Sequence, residues 1–150
     1  MIDLVTHNSI SIAAAPASIW PWILSGEGWK NGVKLVLIEG AADQPGALFG
    51  AHLPEAPDNI LYHAVNVEII PELRRTIRMS ALNGTLIGFA GWRLSSAGVG
   101  ATVEYDVYLQ TEGPAPSSAE ECRLLQQSLV VEYHNRFADE LERLRSLVEG

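Results

Sequence analysis

The 150-residue chain has one cysteine, few basic residues and no long apolar run. A single Cys122 cannot form an internal disulfide, and we expect it to be a small buried hydrophobic residue in a reducing compartment. No segment approaches the roughly eighteen consecutive apolar residues of a membrane-spanning helix. The start, Met1-Ile2-Asp3, lacks the basic and apolar regions of a signal peptide. These absences predict a cytoplasmic protein without membrane insertion.

Basic residues are scarce relative to acidic ones. The chain has 10 lysines and arginines against 18 aspartates and glutamates, a formal net charge of −8. Such a surface repels phosphate backbones and anionic lipid headgroups, which argues against a nucleic-acid partner. Hydrophobic residues make up 47% of the chain. This content is enough for a real core, and we predict a single domain over residues 1–150.

Motifs for cofactors, metals and nucleophilic catalysis are absent from the sequence. There is no Gly-x-x-x-x-Gly-Lys phosphate loop and no Gly-x-Ser-x-Gly nucleophile motif. The histidines do not have the spacing of metal ligands. We therefore predict neither a cofactor nor a metal. The four histidines are His7, His52, His63 and His134.

The carboxyl-terminal segment has the pattern of one long helix. Residues 118–148 contain neither glycine nor proline, and Ser118 with Glu121 forms a potential capping box. Apolar residues recur every three or four positions, the period of one helix face. This stripe requires an equally long apolar partner surface. It consists of Cys122, Leu125, Leu129, Tyr133, Phe137, Leu141, Leu144 and Val148.

Most of the remaining chain reads as consecutive strands with short connections. Short links predict antiparallel neighbours, because a parallel pair needs a long crossover. A short helix, interrupted or kinked at Pro21, is expected over 17–24. The order of elements indicates an α+β fold. The predicted strands are 9–14, 33–39, 47–53, 60–70, 73–81, 86–95 and 101–110.

Alternation along the strands predicts which side chains face the helix. In 60–70 we expect the odd positions, from Leu61 to Ile69, to face inward. In 73–81 and 101–110 the odd positions are again the more apolar. Segment 86–95 is ambiguous, and the face containing Trp92 is preferred because it excludes Arg93.

Few polar groups fall on these inward faces, which is typical of a small-molecule pocket. His63 would be a general acid or base, although a structural histidine is the preferred interpretation. Tyr105 would donate to a ligand carbonyl or belong to the core. Arg75 would bind a carboxylate or, preferably, extend to solvent. The predicted ligand-binding residues are Trp29, Phe49, His63, Val65, Met79, Trp92, Tyr105, Gln126, Leu129 and Tyr133.

Several segments resemble the START/polyketide-cyclase-like (SRPBCC) superfamily. They are residues 11–20 (Ser-Ile-Ala-Ala-Ala-Pro-Ala-Ser-Ile-Trp), the loop with Trp29, Gly100-Ala101-Thr102-Val103 and Leu141-Glu142-Arg143-Leu144. The resemblance implies a helix-grip fold: a seven-stranded curved antiparallel sheet around a long carboxyl-terminal helix, with two short helices after the first strand. It also implies a hydrophobic cavity. No subfamily's catalytic signature is present, so no catalytic residue is transferred.

Three hypotheses for function follow. The first is binding of a small hydrophobic ligand, such as a lipid, a polyketide or an aromatic metabolite. The second is a cyclase, dehydratase or hydrolase that uses His63 and Tyr105 for proton transfer on a carbonyl compound. The third is a ligand-free interaction module with a filled interior. The sequence does not decide the oligomeric state, and an edge strand could pair with a second copy.

Overall fold

Seven strands and two helices make up the parts of the chain that a computed structural model describes, residues 2–30, 33–81, 86–112 and 117–150. The helices are α1 (Pro16–Ser25) and α2 (Ala119–Glu149). The strands are β1 (Ile2–Ile12), β2 (Lys34–Glu39), β3 (Leu48–His52), β4 (Tyr62–Ile70), β5 (Arg74–Ser80), β6 (Leu86–Ala97) and β7 (Gly100–Thr111).

The strands form one curved antiparallel sheet in the order β1-β7-β6-β5-β4-β3-β2. Neighbours in sequence are neighbours in space from β2 to β7, as the short connections predict, and β1 pairs with β7 along its whole length. This architecture confirms the predicted α+β helix-grip fold. The resemblance implied two short helices after β1, whereas the described residues between β1 and β2 contain only α1, followed by a turn at 27–29.

Strand β1 begins seven residues earlier than the alternation at 9–14 suggested. Its first part has polar side chains on the buried face, at Thr6 and Asn8, and exposed Val5 on the other face. The amide of Asn8 donates to the carbonyl of His134 on α2 at 3.1 Å. Because Thr6 and Asn8 are polar but face inward, the alternation of apolar and polar residues is lost there, and the sequence pattern does not predict this part of the strand.

The predicted inward face of β4 is wrong for His63 and Val65. Ala64 and Asn66 are 0% and 1% exposed, so the even positions face inward there. A β-bulge between Asn66 and Glu68 reverses the alternation, and Ile69 packs against the core beyond it. Apolar content alone favoured the wrong face, because the inward Asn66 is polar.

The inward faces of the other long strands are as predicted. Arg75, Ile77 and Met79 of β5 are buried, and β7 alternates regularly from Ala101 to Leu109. In β6 the face with Trp92 is inward and Arg93 is exposed, which settles the ambiguous strand.

Helix α2 starts where the capping residues predict. The Ser118 hydroxyl accepts a hydrogen bond from the backbone N–H of Glu121 at 3.1 Å. Cys122 is exposed, which corrects the expectation that it is buried, because the first turns of α2 lie beyond the sheet's cover. Neither described helix combines the length and apolarity needed to cross a membrane.

Candidate functional site: a cavity between the sheet and α2

A cavity of about 160 Å³ lies between the inner face of the sheet and α2. This volume is similar to that of an engineered protein cavity that binds benzene, so it suits a single ring or a short branched chain. Six of its twelve lining residues are apolar, and the other six have a polar or charged group on the side chain. The lining consists of Lys30, Val33, Tyr62, Met79, Leu86, Tyr105, Val107, Leu109, Tyr133, Arg136, Phe137 and Glu140.

Regular secondary structure positions most of this lining. The period of two along β7 brings Tyr105, Val107 and Leu109 to one wall. On α2, Phe137 and Glu140 lie four and seven residues after Tyr133, so all three project from one helix face. The fold itself therefore holds most of this lining in place.

Three charged side chains line the cavity: Lys30, Arg136 and Glu140. The Glu140 side chain is 4% exposed. The Lys30 ammonium lies 5.0 Å from the centre of the Trp92 ring. Burial lowers the pKa of Lys30 from 10.5 to about 8, although attraction to Glu140 opposes this shift and repulsion from Arg75 adds to it. Lys30 therefore exchanges a proton near neutral pH more readily than a surface lysine.

Three tyrosines, Tyr62, Tyr105 and Tyr133, line the same cavity. Burial, with a contribution from the negative charge of Glu140, raises the pKa of Tyr62 to about 12. The same causes raise the pKa of Tyr105 well above its ordinary value. Both phenols stay protonated at neutral pH, so they can donate hydrogen bonds to a ligand oxygen.

Arg75 does not line the cavity, and its side chain is 1% exposed. The prediction that it extends to solvent is therefore wrong. Its Nε donates to the Asn66 side chain at 3.1 Å, and its Nη1 donates to the carbonyls of Ile23 and Leu24 at 2.8 and 3.0 Å. These carbonyls end α1, where a cation is favourable. Burial lowers the pKa of Arg75 to about 10, so the group remains charged at neutral pH.

Four aromatic rings in contact with one another form a row that runs from the core to the cavity lining. Trp92 stacks on Tyr105 with ring centres 4.9 Å apart, and Trp29 meets Trp92 edge-on at 6.1 Å. Tyr105 in turn contacts Phe137 of α2 at 5.1 Å. The Trp29 indole donates to the carbonyl of Trp22 at 2.8 Å, which fixes the loop after α1. Trp29 and Trp92 therefore orient Tyr105 from the core.

A second, more open groove of about 770 Å³ adjoins the cavity. It lies between β2 and the end of α1 with the residues after it, and Ala42, Phe49, Pro54 and Arg143 complete its lining. Lys30 and Val33 line both spaces. A ligand longer than one ring therefore has room to extend past Lys30.

The structure brings together only part of the predicted site. Met79, Tyr105 and Tyr133 line the cavity, whereas Phe49 lines the groove. His63 and Val65 lie on the outer face of β4, so the enzyme hypothesis that depends on His63 fails. Among the remaining residues, Trp29 and Trp92 are in the core, Leu129 is partly buried against it, and Gln126 is exposed, with its amide donating to the Asp3 carbonyl at 2.8 Å.

Sequence analysis missed Lys30, Tyr62 and Glu140. Glu140 had a detectable signal, since it lies three residues after Phe137 and four before Leu144, on the apolar face of α2. A carboxylate at such a position is rarely buried without a function or a partner. Tyr62 was assigned to the outer face with the other even positions of β4. Lys30 follows Trp29 in a loop, where no period predicts orientation.

The described residues contain no cluster of three or more histidine, cysteine, aspartate or glutamate side chains that could hold a metal ion. The polar side chains that line the cavity carry an ammonium, a guanidinium, a carboxylate and three phenol groups.

Comparisons with known proteins identify the fold. No family model matches the chain, and no curated protein matches it in sequence. Among solved structures, the Zhui aromatase/cyclase from Streptomyces sp. R1128 is 13% identical, with a TM-score of 0.71 over 98% of this chain and 94% of that one. The di-domain aromatase/cyclase StfQ of the steffimycin pathway is 13% identical, with a TM-score of 0.73 over 99% of this chain and 51% of that one.

Norcoclaurine synthase from Thalictrum flavum is 14% identical, with a TM-score of 0.61 over 98% of this chain and 94% of that one. At such identities the likeness shows the fold alone. It confirms the helix-grip fold that the resemblance to the START/polyketide-cyclase-like superfamily predicts.

Proposed function

We propose that the protein binds a small, mostly apolar molecule with one polar oxygen in the cavity between the sheet and α2. The observation that carries this proposal is the cavity itself, whose lining combines six apolar residues with the phenols of Tyr62 and Tyr105 and with the charged Lys30, Arg136 and Glu140. Apolar surface would supply affinity, and the polar groups would orient the ligand. The aromatase/cyclases among the structural neighbours support a ligand of this kind.

Size narrows the candidate ligands. A cavity of about 160 Å³ suits a single-ring aromatic metabolite, whereas a lipid or polyketide would have to extend into the groove past Lys30 and Val33. Among the three ligand classes predicted from sequence, we therefore place the aromatic metabolite first. The open cavity weighs against the interaction module, which requires a filled interior. We further propose that residues 1–150 act as one such domain in the cytoplasm.

Titration with phenol, benzyl alcohol, acetophenone and cyclohexane, followed by NMR and by thermal unfolding, tests this proposal. We expect the three aromatic compounds to shift the Met79 methyl and Phe137 ring signals and to raise the unfolding temperature. Cyclohexane should bind more weakly, because it leaves the polar groups without a partner. If none of the compounds shifts these signals at millimolar concentration, a single-ring ligand is excluded.

A matched pair of variants on β7 locates the binding site. Val107→Phe fills the cavity and should abolish binding, whereas Tyr108→Phe lies on the opposite face of the strand and should leave binding unchanged. Equal binding by both variants would place the ligand elsewhere.

A second candidate function, proton transfer on a carbonyl compound, is supported by the lowered pKa of Lys30. A base with a pKa of about 8 can remove an α-proton at neutral pH while the Tyr105 hydroxyl donates to the carbonyl oxygen. The proton removed from carbon would go to the Lys30 amine, and solvent would return a deuteron in D₂O. This replaces the failed hypothesis that used His63.

Exchange of the α-protons of acetophenone in D₂O, followed by NMR, separates binding from catalysis. Lys30→Met should reduce exchange to the background rate. Lys34→Met changes an exposed lysine that lines the groove and not the cavity, and it should retain most of the exchange. Binding without exchange above background would leave ligand binding as the function and exclude this second one.

A further inference from the structure

Strand β2 forms one edge of the sheet and is unusually apolar for such a position. Val36, Leu37 and Ile38 are 46%, 42% and 52% exposed. Proteins normally protect edge strands, because the free backbone groups of an edge pair readily with another chain. Among the described residues, no hydrogen bond reaches the outer edge of β2. On the opposite edge, by contrast, Gln126 of α2 donates to the Asp3 carbonyl of β1.

The pairing of β2 with β3 shows which way its side chains point. Leu35 and Leu37 lie opposite Ala51 and Phe49, which are buried, so both leucines face inward. Val36 lies opposite Gly50 and therefore faces outward.

A bulge between Leu37 and Glu39 places Ile38 as an extra residue. The extra residue shifts the alternation by one position. As a result, Lys34 and Glu39 lie on the same outward face although they are five residues apart. Neither side chain forms an ion pair with a described residue.

This arrangement is self-complementary in the antiparallel direction. A two-fold axis perpendicular to the sheet preserves its faces, so it can pair only residues that share a face. With the axis at Val36, Leu35 lies opposite Leu37 of the second copy. Because the bulge sets Ile38 and Glu39 against one partner residue, Lys34 then lies opposite both, and it shares the outward face with Glu39. Opposite charges then meet at both ends of the paired strands, and cross-strand pairs of this kind are stabilising.

We propose that β2 pairs with β2 of a second copy of this chain, about a two-fold axis at Val36, so that one antiparallel sheet runs through a homodimer. The inference depends on the edge strand and not on the ligand proposed for the cavity. Because the paired segment is only six residues long, we expect a weak dimer, with a dissociation constant on the order of 10–100 µM.

Charge reversal in sedimentation equilibrium tests the pairing. Lys34→Glu alone places glutamate opposite Glu39, and Glu39→Lys alone places lysine opposite Lys34, so each should raise the dissociation constant by about tenfold. The double variant restores both pairs and should dimerise within about threefold of the original chain. An equimolar mixture of the two single variants should also dimerise, because each subunit then carries the charge that complements the other.

Two further variants control this experiment. Glu112→Lys makes the same charge change on an exposed residue after β7, and it should leave dimerisation unchanged. Val36→Lys puts two like charges on the axis and should abolish the dimer. All four positions, three in β2 and Glu112 after β7, are exposed, and far-UV circular dichroism would verify that the variants fold.

Several results would overturn the proposal. These are a monomer at concentrations up to about 1 mM, a dimer that tolerates Val36→Lys, or single charge variants that neither the double change nor mixing restores. Any of them would assign the exposed edge to a different partner or to none.

Discussion

The two halves of α2 carry the same apolar repeat, but the rest of the protein covers them differently. In the second half, Phe137, Leu141 and Leu144 are 8%, 1% and 0% exposed. In the first half no residue is buried: Cys122 is exposed, and the stripe residues Leu125 and Leu129 are only partly buried. An apolar period thus identifies the face of a helix and does not determine how deeply that face is covered.

The difference follows from what lies opposite each half. Helix α2 packs mainly along β1, an edge strand, and one strand cannot cover a helix alone. Helix α1 contacts α2 as well, and the aromatic row reaches it at Phe137. The second half is therefore the part that stabilises the fold, and the cavity lies against this half, at Tyr133, Phe137 and Glu140.

Truncation of one leucine in each half should give the largest contrast. Leu144→Ala removes a fully buried side chain and should lower the free energy of unfolding by about 2–5 kcal/mol. Leu124→Ala, at a side chain that is 52% exposed, should change it by less than about 0.5 kcal/mol. Urea unfolding of both variants measures the difference. Equal losses would mean that both halves are covered alike in solution.

The fold was predictable because its signals are local. Strand alternation, short connections and the helical period of α2 depend on neighbouring residues, and the structure confirms them at β5, β6 and β7. The face of β4 was not predictable in the same way. Asn66 faces inward because it holds Arg75 and also donates to the carbonyls of Ala42 and Gln44, and these partners lie on separate segments of the chain.

The residues of the candidate site also differ in whether local sequence signals predict them. Tyr105 and Met79 were predicted, because strand alternation orients them. Lys30 was not predicted, and Arg75 was expected to extend to solvent, because their environment is formed by segments distant in sequence: Glu140 on α2 for the lysine, and the end of α1 for the arginine. A polar side chain whose partners lie on distant segments of the chain cannot be predicted from the periodicity of its own segment.

The buried half of α2 also carries Glu140, and the pH dependence of stability should reveal its neighbour Lys30. The pKa of Lys30 is about 8 in the folded protein and 10.5 ordinarily, so between pH 8 and 10 the unfolded chain binds more protons than the folded one. The free energy of unfolding should therefore rise with pH over this interval, by about 2 kcal/mol in total. Urea unfolding at several pH values, compared with Lys30→Met, measures this contribution.

Two variants sharpen the pH experiment. Lys34→Met removes an exposed lysine and should keep the rise, whereas Lys30→Met should remove it. Glu140→Gln removes an attraction that raises the pKa of Lys30, so the rise should begin at lower pH. A rise that survives Lys30→Met would show that another group titrates in this interval.

The smallest expected effect tests whether the exposed half of α2 opens independently. Gln126 was predicted to line the cavity, but its amide donates to the Asp3 carbonyl and so ties the first half of the helix to β1. Gln126→Ala should cost about 0.5–1.5 kcal/mol. Hydrogen exchange should accelerate over residues 119–130 and stay unchanged over 137–148, because weakly covered segments open locally. Gln127→Ala, at a neighbouring exposed glutamine, should change neither region. Equal acceleration along all of α2 would instead mean that the helix opens as one cooperative unit, and the contrast between its halves would then concern exposure and not stability.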